Sequence, residues 1–260
     1  MTSNSTISNN SPQANERHTP SLKSNEIILG VIPARGGSRG VIKKNLRPLC
    51  GKPLIVYAIE CGLNCRSIDH LLVSTDDHEI AEVAKRNGAE VPFLRPSELA
   101  TDTTPTLPVL QHAVIEAEKV YSKRVRCVVL LEPTGPLKTE EDVEAALKIF
   151  REGDCNAVVS GNVAHRNPYF SMVEMRDGYV HLSKEPLMSV GRRQDTPGVY
   201  DLNPIVWIYS RKALFEERAR IPNRTRIYLV PPERAFDLDT EFDFELMEYM
   251  MRSRRADSVR

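Results

Sequence analysis

The feature that most restricts the fold of this chain is an alternation, from Glu26 onward, between short runs rich in Val, Ile and Leu and longer stretches with helical periodicity. This pattern is typical of parallel strands joined by crossover helices. It predicts an α/β fold with a doubly wound, mostly parallel sheet. We place strands near residues 27–32, 70–74, 126–131 and 156–160, and helices near residues 53–65, 77–87, 105–121 and 139–151.

The alternation weakens from about Gly161 to Tyr209, where the elements become shorter and a turn is predicted at Arg176–Gly178. We interpret 161–209 as a small antiparallel insertion that closes a substrate pocket, pairs with a second subunit, or does both. It belongs to a single domain over residues 26–255. Residues 1–25 contain six Ser, five Asn and three Thr with almost no apolar residues, which predicts a disordered leader.

The composition narrows the functional classes. The 260 residues include 35 basic and 35 acidic side chains, so the net charge gives no electrostatic support for broad nucleic-acid binding. No apolar stretch suggests a membrane partner. The five cysteines are odd in number and lack a CxxC pair, which favours a reducing compartment, and the leader has neither a secretory nor a transit pattern. We therefore predict a cytoplasmic protein.

A basic, glycine-rich loop follows the first predicted strand and reads PARGGSRGVIKKN over Pro33–Asn45. Its glycines would let the backbone approach an anion and turn through positive φ, and its cations would donate to phosphate oxygens. The spacing is neither GxGxxG nor GxxxxGK[ST], which disfavours a dinucleotide site and a Walker-type loop. The loop predicts a nucleoside triphosphate ligand, and the alternative is a solvated surface turn. The residues concerned are Gly36, Gly37 and Gly40 with Arg35, Arg39, Lys43 and Lys44.

Ligands of doubly wound sheets bind beyond the carboxyl ends of the strands. The loops that begin at Pro33, Thr75, Glu132 and Gly161 are therefore predicted to face one crevice. The two aspartates that follow Thr75 are predicted to cap the next helix.

A pair of carboxylates near the end of the chain forms the second chemical signal. In an extended segment, Asp237 and Asp239 would point to one face while Phe236 and Leu238 point to the other. Two adjacent carboxylates beside a triphosphate suit Mg²⁺, with Mn²⁺ as a possible substitute. The alternative is helix capping by Thr240 and its neighbours, which does not explain the alternation with Phe and Leu.

Six ordered segments extend these signals across the chain between Ile27 and Tyr249. They are PARGGSRG with Lys44-Asn45, VSTDDHEIAEVAKRNGAEV, LRPSELATD, LLEPTGPLK, RRQDTP and FDLDTEFDF. In order and spacing they resemble the cytidylyltransferases that activate nonulosonic acids, such as sialic, legionaminic and pseudaminic acids, as CMP derivatives. The resemblance implies a Rossmann-like nucleotidyltransferase fold and a homodimer formed through the insertion.

The resemblance also implies roles for individual residues at the nucleotide. Arg35, Ser38 and Arg39 would bind the triphosphate, together with the neighbouring glycines Gly36 and Gly37. Lys44 and Asn45 would lie near the phosphates and cytosine, Arg95 would lie at the nucleotide site, and Asp237 with Asp239 would bind the metal. The implied catalytic set is Arg35, Arg39, Lys44, Asp237 and Asp239.

The residues implied at the sugar acid are Arg193, which would bind its carboxylate, Gln194, Glu132, Asp201 and Asn203. For Glu132, which stands at a strand end, two roles stay open: contact with a sugar hydroxyl, or a third oxygen ligand to Mg²⁺. Sialic acid enzymes carry Gln where this chain has Glu132, and tend to carry Arg where it has Asp201. Legionaminate-type members resemble this chain in having an acid at the first position.

The implied reaction transfers CMP from CTP to the anomeric hydroxyl of a nonulosonic acid and releases pyrophosphate. Legionaminic acid is favoured and N-acetylneuraminic acid comes next. The alternatives are a pseudaminate enzyme, a CMP-Kdo synthetase, which Lys44-Asn45 and RRQDTP fit poorly, and a non-catalytic nucleotide-binding regulatory module.

Overall fold

Ten strands and five α-helices make up the protein, for which a computed structural model describes residues 25–37, 40–185 and 191–257. The strands are β1 (Glu26–Pro33), β2 (Pro48–Leu49), β3 (Lys52–Pro53), β4 (His70–Ser74), β5 (Arg124–Leu130), β6 (Ala157–Val163), β7 (Val173–Arg176), β8 (Tyr179–Leu182), β9 (Tyr200–Ser210) and β10 (Thr225–Leu229). The helices are α1 (Leu54–Asn64), α2 (His78–Arg86), α3 (Thr106–Tyr121), α4 (Glu140–Arg151) and α5 (Glu241–Asp257). The leader predicted over residues 1–25 lies, up to residue 24, outside the described residues.

The main sheet has six strands in the order β10-β6-β9-β5-β1-β4. Strand β1 pairs in parallel with β4 and β5, and β6 pairs in parallel with β10. Strand β9 runs antiparallel between β5 and β6. The prediction of a doubly wound, mostly parallel α/β sheet is confirmed, and each predicted helix and strand is present within a few residues of its expected bounds.

The two faces of the sheet bury separate apolar clusters. On β1, Ile28 and Ile32 pack on the side of α1, α2 and α4, whereas Ile27, Leu29 and Val31 pack on the side of α3. All five side chains are at most 2% exposed. Successive residues of a strand point to opposite faces, so a continuous apolar run is what a strand covered on both sides requires.

The segment predicted as an insertion is only partly separate from this sheet. Residues 200–209 lie in β9, where Ile205, Val206 and Ile208 are fully buried. Outside the main sheet, β7 and β8 form an antiparallel hairpin whose turn has Asp177 at φ 51° and Gly178 at φ 82°. Positive φ at both positions is typical of a two-residue hairpin turn, as the predicted turn at Arg176–Gly178 requires.

The strand order places a switch point beside β1. The chain passes from β1 to β4 on one side and then to β5 on the other side of β1. The carboxyl ends of β1 and β5 therefore diverge into loops that leave a crevice between them, which is where such sheets bind ligands. Within the described residues, no helix is long and apolar enough to span a membrane.

A buried carboxylate fixes the loop that leads toward the two predicted metal-binding aspartates. Asp142, whose side chain is 1% exposed, accepts a bond of 2.8 Å from the Tyr228 hydroxyl and a bidentate pair from Arg234. It also accepts from the main-chain N–H of Thr139 at 3.0 Å, completing a capping box at the start of α4. Arg234 lies three residues before Asp237, so this network anchors the approach to the site.

We predict that Asp142→Asn lowers the free energy of unfolding by about 3 kcal/mol, because it breaks a buried ion pair. Burial alone would raise the pKa of Asp142, but hydrogen bonds from Arg234, Tyr228 and Thr139 outweigh it and lower the pKa. A lowered pKa stabilises the fold above the ordinary aspartate pKa, and the contribution is lost as the pH falls through the folded-state pKa.

Urea unfolding of both proteins at neutral and acid pH measures this effect. The deficit of Asp142→Asn should shrink as the pH falls. Asp154→Asn, at an exposed carboxylate that pairs with Arg224, is the control and should change the unfolding free energy by less than about 1 kcal/mol. A deficit that does not depend on pH would contradict the electrostatic explanation.

Candidate active site

The basic loop leaves β1 toward the neighbouring strand. The main-chain N–H of Ala34 donates to the carbonyl of Ser74 at 3.0 Å, and the N–H of Gly36 donates to Asp76 Oδ1 at 3.1 Å. Asp77 caps α2 by accepting from the N–H groups of Glu79 and Ile80. The predicted cap is thus confirmed for Asp77, whereas Asp76 holds the basic loop.

The glycines of this loop are needed for close approach. Gly36 and Gly37 do not have positive φ, so the expectation that they turn through that region is wrong. A Cβ on Gly36 would lie 2.6 Å from Asp77 Oδ2, and a Cβ on Gly40 would lie 2.4 Å from the main-chain oxygen of Asp239. The second contact joins the basic loop directly to the segment of the paired aspartates.

We predict that Gly40→Ala lowers kcat/KM by about 100-fold, because displacements near 1 Å in a catalytic site cost on that order. Its methyl group would meet a main-chain oxygen that a side-chain rotation cannot move away. Steady-state kinetics of pyrophosphate release measures the loss. Gly198→Ala is the control, since the nearest atom to its added Cβ, its chain neighbours apart, is the Tyr200 hydroxyl oxygen at 3.8 Å, an ordinary contact, and similar losses in both variants would contradict the explanation.

The predicted phosphate-binding cations have different partners. Arg35 pairs with Asp102 at 2.8 Å and donates to the carbonyl of Thr101 at 2.8 Å. Lys44 Nζ lies 3.0 Å from Asp239 Oδ1 and 2.8 Å from the carbonyl of Leu238. Ser38 and Arg39 lie outside the described residues. The side chain of Lys43 pairs with Glu79 and does not line the cavity described below. The structure therefore does not place Lys43 where it was predicted to bind phosphate.

Arg95 is buried at the base of the same region, with 6% of its surface exposed. Its guanidinium donates to the side chain and carbonyl of Ser74 and to the carbonyl of Leu99. Burial lowers its pKa to about 10, and the nearby charge of Arg35 acts in the same direction while Asp76 opposes it. In the described chain, Arg95 has no carboxylate ion pair, which leaves its charge available to an anionic ligand.

A cavity of about 280 Å³, the first cavity, opens between these groups at the carboxyl ends of β1 and β5. The loops beginning at Pro33 and Glu132 line it, as predicted, but residues of the loops beginning at Thr75 and Gly161 do not. Its polar lining comprises Arg35, Lys44, Asn45, Arg95, Thr101, Asp102, Thr104, Thr106, Glu132 and Thr134. The structure therefore gathers most of the predicted nucleotide-binding residues around one space.

The paired aspartates lie at the edge of this space. Leu238 between them is fully buried, and its N–H donates to the carbonyl of Thr134 at 3.0 Å. Asp237 and Asp239 face solvent on the opposite side, as the alternation predicts. Asp243 accepts from the N–H of Thr240 at 2.7 Å. The alternative prediction, a cap at the start of α5 that involves Thr240, is therefore also correct, but the capping carboxylate belongs to Asp243 and not to the aspartate pair.

The donor set at these aspartates fits a hard cation. Although Asp237 is exposed, neighbouring protein atoms displace some of the water around its carboxyl group and raise its pKa, the Asp239 carboxylate raises it further, and a hydrogen bond from Thr134 opposes the rise. Among the described residues, no group of three or more His, Cys, Asp or Glu side chains is placed to hold a metal. Mg²⁺ is commonly held by one or two carboxylates together with substrate phosphates and water, which this arrangement can supply.

Glu132 and Lys138 shape the loop after β5. Burial raises the pKa of Glu132, Asp237 adds to the rise, and Lys138 opposes it. Lys138 is 6% exposed and donates to the carbonyls of Glu132, at 2.6 Å, and Gly135. Burial lowers its pKa to about 8. Lys138 ends the segment LLEPTGPLK but was not predicted to be a functional residue.

A second cavity of about 330 Å³ adjoins the first. Thr106 and Glu132 line both cavities. The remaining lining residues are Pro105, Leu107, Leu130, Trp207, Tyr209 and Arg220. Its walls are therefore more apolar than those of the first cavity, with an anion at the junction and one cation. Arg220, Trp207 and Tyr209 were missed as site residues because they lie in segments assigned to the insertion or left unassigned.

The residues predicted at the sugar acid, Glu132 apart, do not line either cavity of their own chain. Arg193 donates to the carbonyl of Ala164 at 2.8 Å, and Gln194 lies in the exposed turn Arg193–Asp195. Asp201 is exposed on β9, and Asn203 is buried and donates to Asn162 Oδ1 at 3.2 Å. Glu132 is thus the member of this set that the fold brings to the cationic loop.

The fold and the site together define an α/β nucleotide-binding protein with a cationic loop at the switch point and two carboxylates at its rim. Residues 29–254 match the profile of the family described as Cytidylyltransferase. The chain therefore belongs to the cytidylyltransferase family and is a nucleotidyltransferase.

Individual relatives agree with this assignment. A CMP-N,N'-diacetyllegionaminic acid synthase of Campylobacter jejuni is 36% identical over 86% of this chain and 94% of its own length. The post-translational flagellin modification protein B of Campylobacter coli is 33% identical over 87% of this chain and 96% of its own length. The solved structure of a CMP:2-keto-3-deoxy-manno-octonic acid synthetase complexed with CTP has a TM-score of 0.63 and 18% sequence identity to this protein. The match covers 89% of this chain and 100% of the synthetase chain, which supports the fold.

Proposed function

We propose that this protein transfers CMP from CTP to the anomeric hydroxyl of a nonulosonic acid, with legionaminic acid favoured and N-acetylneuraminic acid next. The observation that carries the proposal is the junction at Glu132, which joins a cationic cavity to a more apolar one beside Asp237 and Asp239. Such a junction suits two substrates that react where their sites meet.

The first cavity would hold CTP. Arg35, Arg39 and Lys44 would bind the triphosphate with Ser38 and the N–H group of Gly37, while Gly36, whose N–H donates to Asp76, would allow its close approach. The lining residues Asn45 and Arg95 would contact the rest of the nucleotide. For CTP to bind, Arg35 would have to replace its ion pair with Asp102 by one with a phosphate group. Lys44 would have to interact with both Asp239 and the departing pyrophosphate. These cations would then stabilise the negative charge that builds up on pyrophosphate.

The reaction would be a direct displacement. The sugar hydroxyl oxygen bonds to the α-phosphorus, the bond from that phosphorus to the bridging oxygen breaks, and pyrophosphate and the hydroxyl proton leave. When bound at Asp237 and Asp239, Mg²⁺ would neutralise phosphate charge and lower the pKa of the attacking hydroxyl. Glu132 would contact the sugar acid at the junction of the cavities.

The choice of sugar rests on similarity and on Glu132. The C. jejuni relative is named for N,N'-diacetyllegionaminic acid. The acid at position 132 is the feature in which legionaminate-type sequences resemble this chain. A regulatory role without catalysis is disfavoured because Lys44 and Asp239 are held together beside the cavity.

The test is pyrophosphate release from CTP and Mg²⁺ with legionaminic, N-acetylneuraminic, pseudaminic and Kdo acids offered separately. Turnover of a nonulosonic acid, fastest for legionaminic acid and absent without Mg²⁺, is the expected result. Fastest turnover of Kdo would replace the proposed substrate class. Retained CTP binding with no turnover across the panel would instead support a regulatory module.

We further propose a homodimer formed through the β7–β8 hairpin. Met175 and Tyr179 on this hairpin are 76% and 74% exposed, and Val180 is 64% exposed. Exposed apolar side chains clustered on one element are typical of interaction surfaces. In such a dimer, Arg193 and Gln194 of one subunit would meet the sugar acid bound to the other, which accounts for their distance from both cavities of their own chain.

Gel filtration should give twice the mass of one chain, and Met175→Glu combined with Tyr179→Glu should give a monomer with unchanged circular dichroism. Val120→Glu is the control, because Val120 is also exposed but lies on α3. A wild-type monomer would contradict the proposal.

We also propose a cytoplasmic location, for which the five free cysteines are the support.

A further inference from the structure

The second cavity contains a cation that the chain itself does not neutralise. Arg220 lines this cavity, and its guanidinium carbon lies 5.3 Å from the centre of the Trp207 ring. In the part of the chain that the structure describes, its guanidinium forms no ion pair and donates no hydrogen bond. Its charge nevertheless acts inside the cavity, because it opposes the rise that burial causes in the pKa of both Glu132 and Tyr209.

Two hydrogen bonds hold the backbone that carries this cation and the indole ring beside it. The Tyr209 hydroxyl donates to the main-chain carbonyl of Arg220 at 2.9 Å, and the indole N–H of Trp207 donates to the carbonyl of Asn203 at 2.8 Å. Trp207 and Tyr209 are 6% and 2% exposed. The indole is therefore held in place before binding, and the exposed guanidinium of Arg220 lies over it with its fork of N–H donors.

We infer that Arg220, stacked on Trp207, determines specificity by binding the acylamino group of the sugar acid. An acetamido group combines a methyl, which would pack on the indole, with a carbonyl oxygen, which would accept from the guanidinium. This inference rests on the proposed function and on placement of the sugar acid in the second cavity.

The carboxylate of the substrate is the competing partner for Arg220. That carboxylate is attached to the carbon that bears the reacting hydroxyl, so it must stay near the junction at Glu132, where the phosphates meet the sugar. The acylamino substituents lie further along the sugar, and the cavity extends from Glu132 to Trp207 and Tyr209. The mixed wall of cation and indole therefore matches an uncharged, amphipathic substituent better.

The test compares wild-type protein with Arg220→Met and Arg220→Lys. The substrates are N,N'-diacetyllegionaminic acid, N-acetylneuraminic acid and the analogue of the latter that carries a hydroxyl in place of the acetamido group. Arg220→Met should lower kcat/KM for the acetamido acids about 10- to 100-fold, the usual loss for a hydrogen bond to a charged group. For the hydroxyl analogue the loss should be below about threefold, and the KM for CTP should not change. Lys212→Met, at an exposed cation outside the cavity, is the control.

Four results would overturn the inference. Equal losses with all three acids would assign Arg220 to the carboxylate, and no loss would exclude contact with the sugar. Full recovery in Arg220→Lys would show that any charged donor suffices and that the planar fork of Arg220 beside Trp207 does not determine specificity. If the wild-type protein turned over no acid, the proposed function would fail and this inference with it. Thermal melting separates each of these results from misfolding.

Discussion

Replacement of Asp239 by Asn is expected to lower kcat about 1,000-fold, because a metal-binding carboxylate contributes several kcal/mol to charge stabilisation. Asp239 Oδ1 lies 3.0 Å from Lys44 Nζ and next to Asp237, whose pKa its charge raises. The variant should therefore lose affinity for Mg²⁺ while its fold is retained. Pyrophosphate release as a function of Mg²⁺ concentration measures this effect.

Glu241→Gln provides the control for this variant. Glu241 lies two residues further along, is exposed and pairs with Arg47 away from the cavity. We expect kcat within about twofold of wild type and an unchanged Mg²⁺ dependence, since an exposed ion pair contributes at most about 1 kcal/mol. If Asp239→Asn behaved like Glu241→Gln, the aspartate pair would not be the metal site.

The adjacent lysines of the basic loop give the second large effect. Lys44→Met is expected to lower kcat 100- to 1,000-fold, roughly the loss measured when one donor to a developing negative charge is removed. Lys44 contacts both Asp239 and the carbonyl of Leu238, so its loss would also leave the two carboxylates less well neutralised. Steady-state kinetics with CTP and the preferred sugar acid checks this expectation.

Lys43→Met is the matched control, because it removes the same charge from the neighbouring position. Lys43 has φ 50°, which turns its side chain away from the cavity and toward Glu79. Its kcat should stay within about threefold of wild type, as expected for an exposed ion pair. Equal losses in the two variants would mean that net charge, and not the position of Lys44, supports the reaction.

The main strands and helices could be predicted because their apolar periodicity directly records burial on one or both faces. Strand β10 was missed because it is an edge strand, and its residues Thr225–Leu229 are partly buried or exposed, with none fully buried. Strand β9 was assigned to the insertion since it begins with exposed residues and runs against its neighbours. The direction in which a strand runs in a sheet depends on tertiary contacts, and the local pattern of apolar residues does not determine it.

For the candidate site, the local motifs could be predicted from the sequence, but the contacts between distant segments could not. The phosphate loop and the aspartate pair are local motifs, so their residues could be named from spacing and resemblance. The outward turn of Lys43, the burial of Lys138 and the stacking of Arg220 on Trp207 depend on contacts between distant segments. Sequence spacing carries no information on such contacts.

The contact between Gly40 and the main-chain oxygen of Asp239 has a consequence for synthesis of the chain. The two residues belong to segments almost 200 positions apart, as the 195-residue separation between Lys44 and Asp239 also shows. Under the proposed function, a growing chain that has completed β1 and its loop could not yet hold a triphosphate against a metal, because the second half of the site is not yet made. Reactivity toward the nucleotide thus arises only when almost the whole chain has left the ribosome and folded back on its beginning.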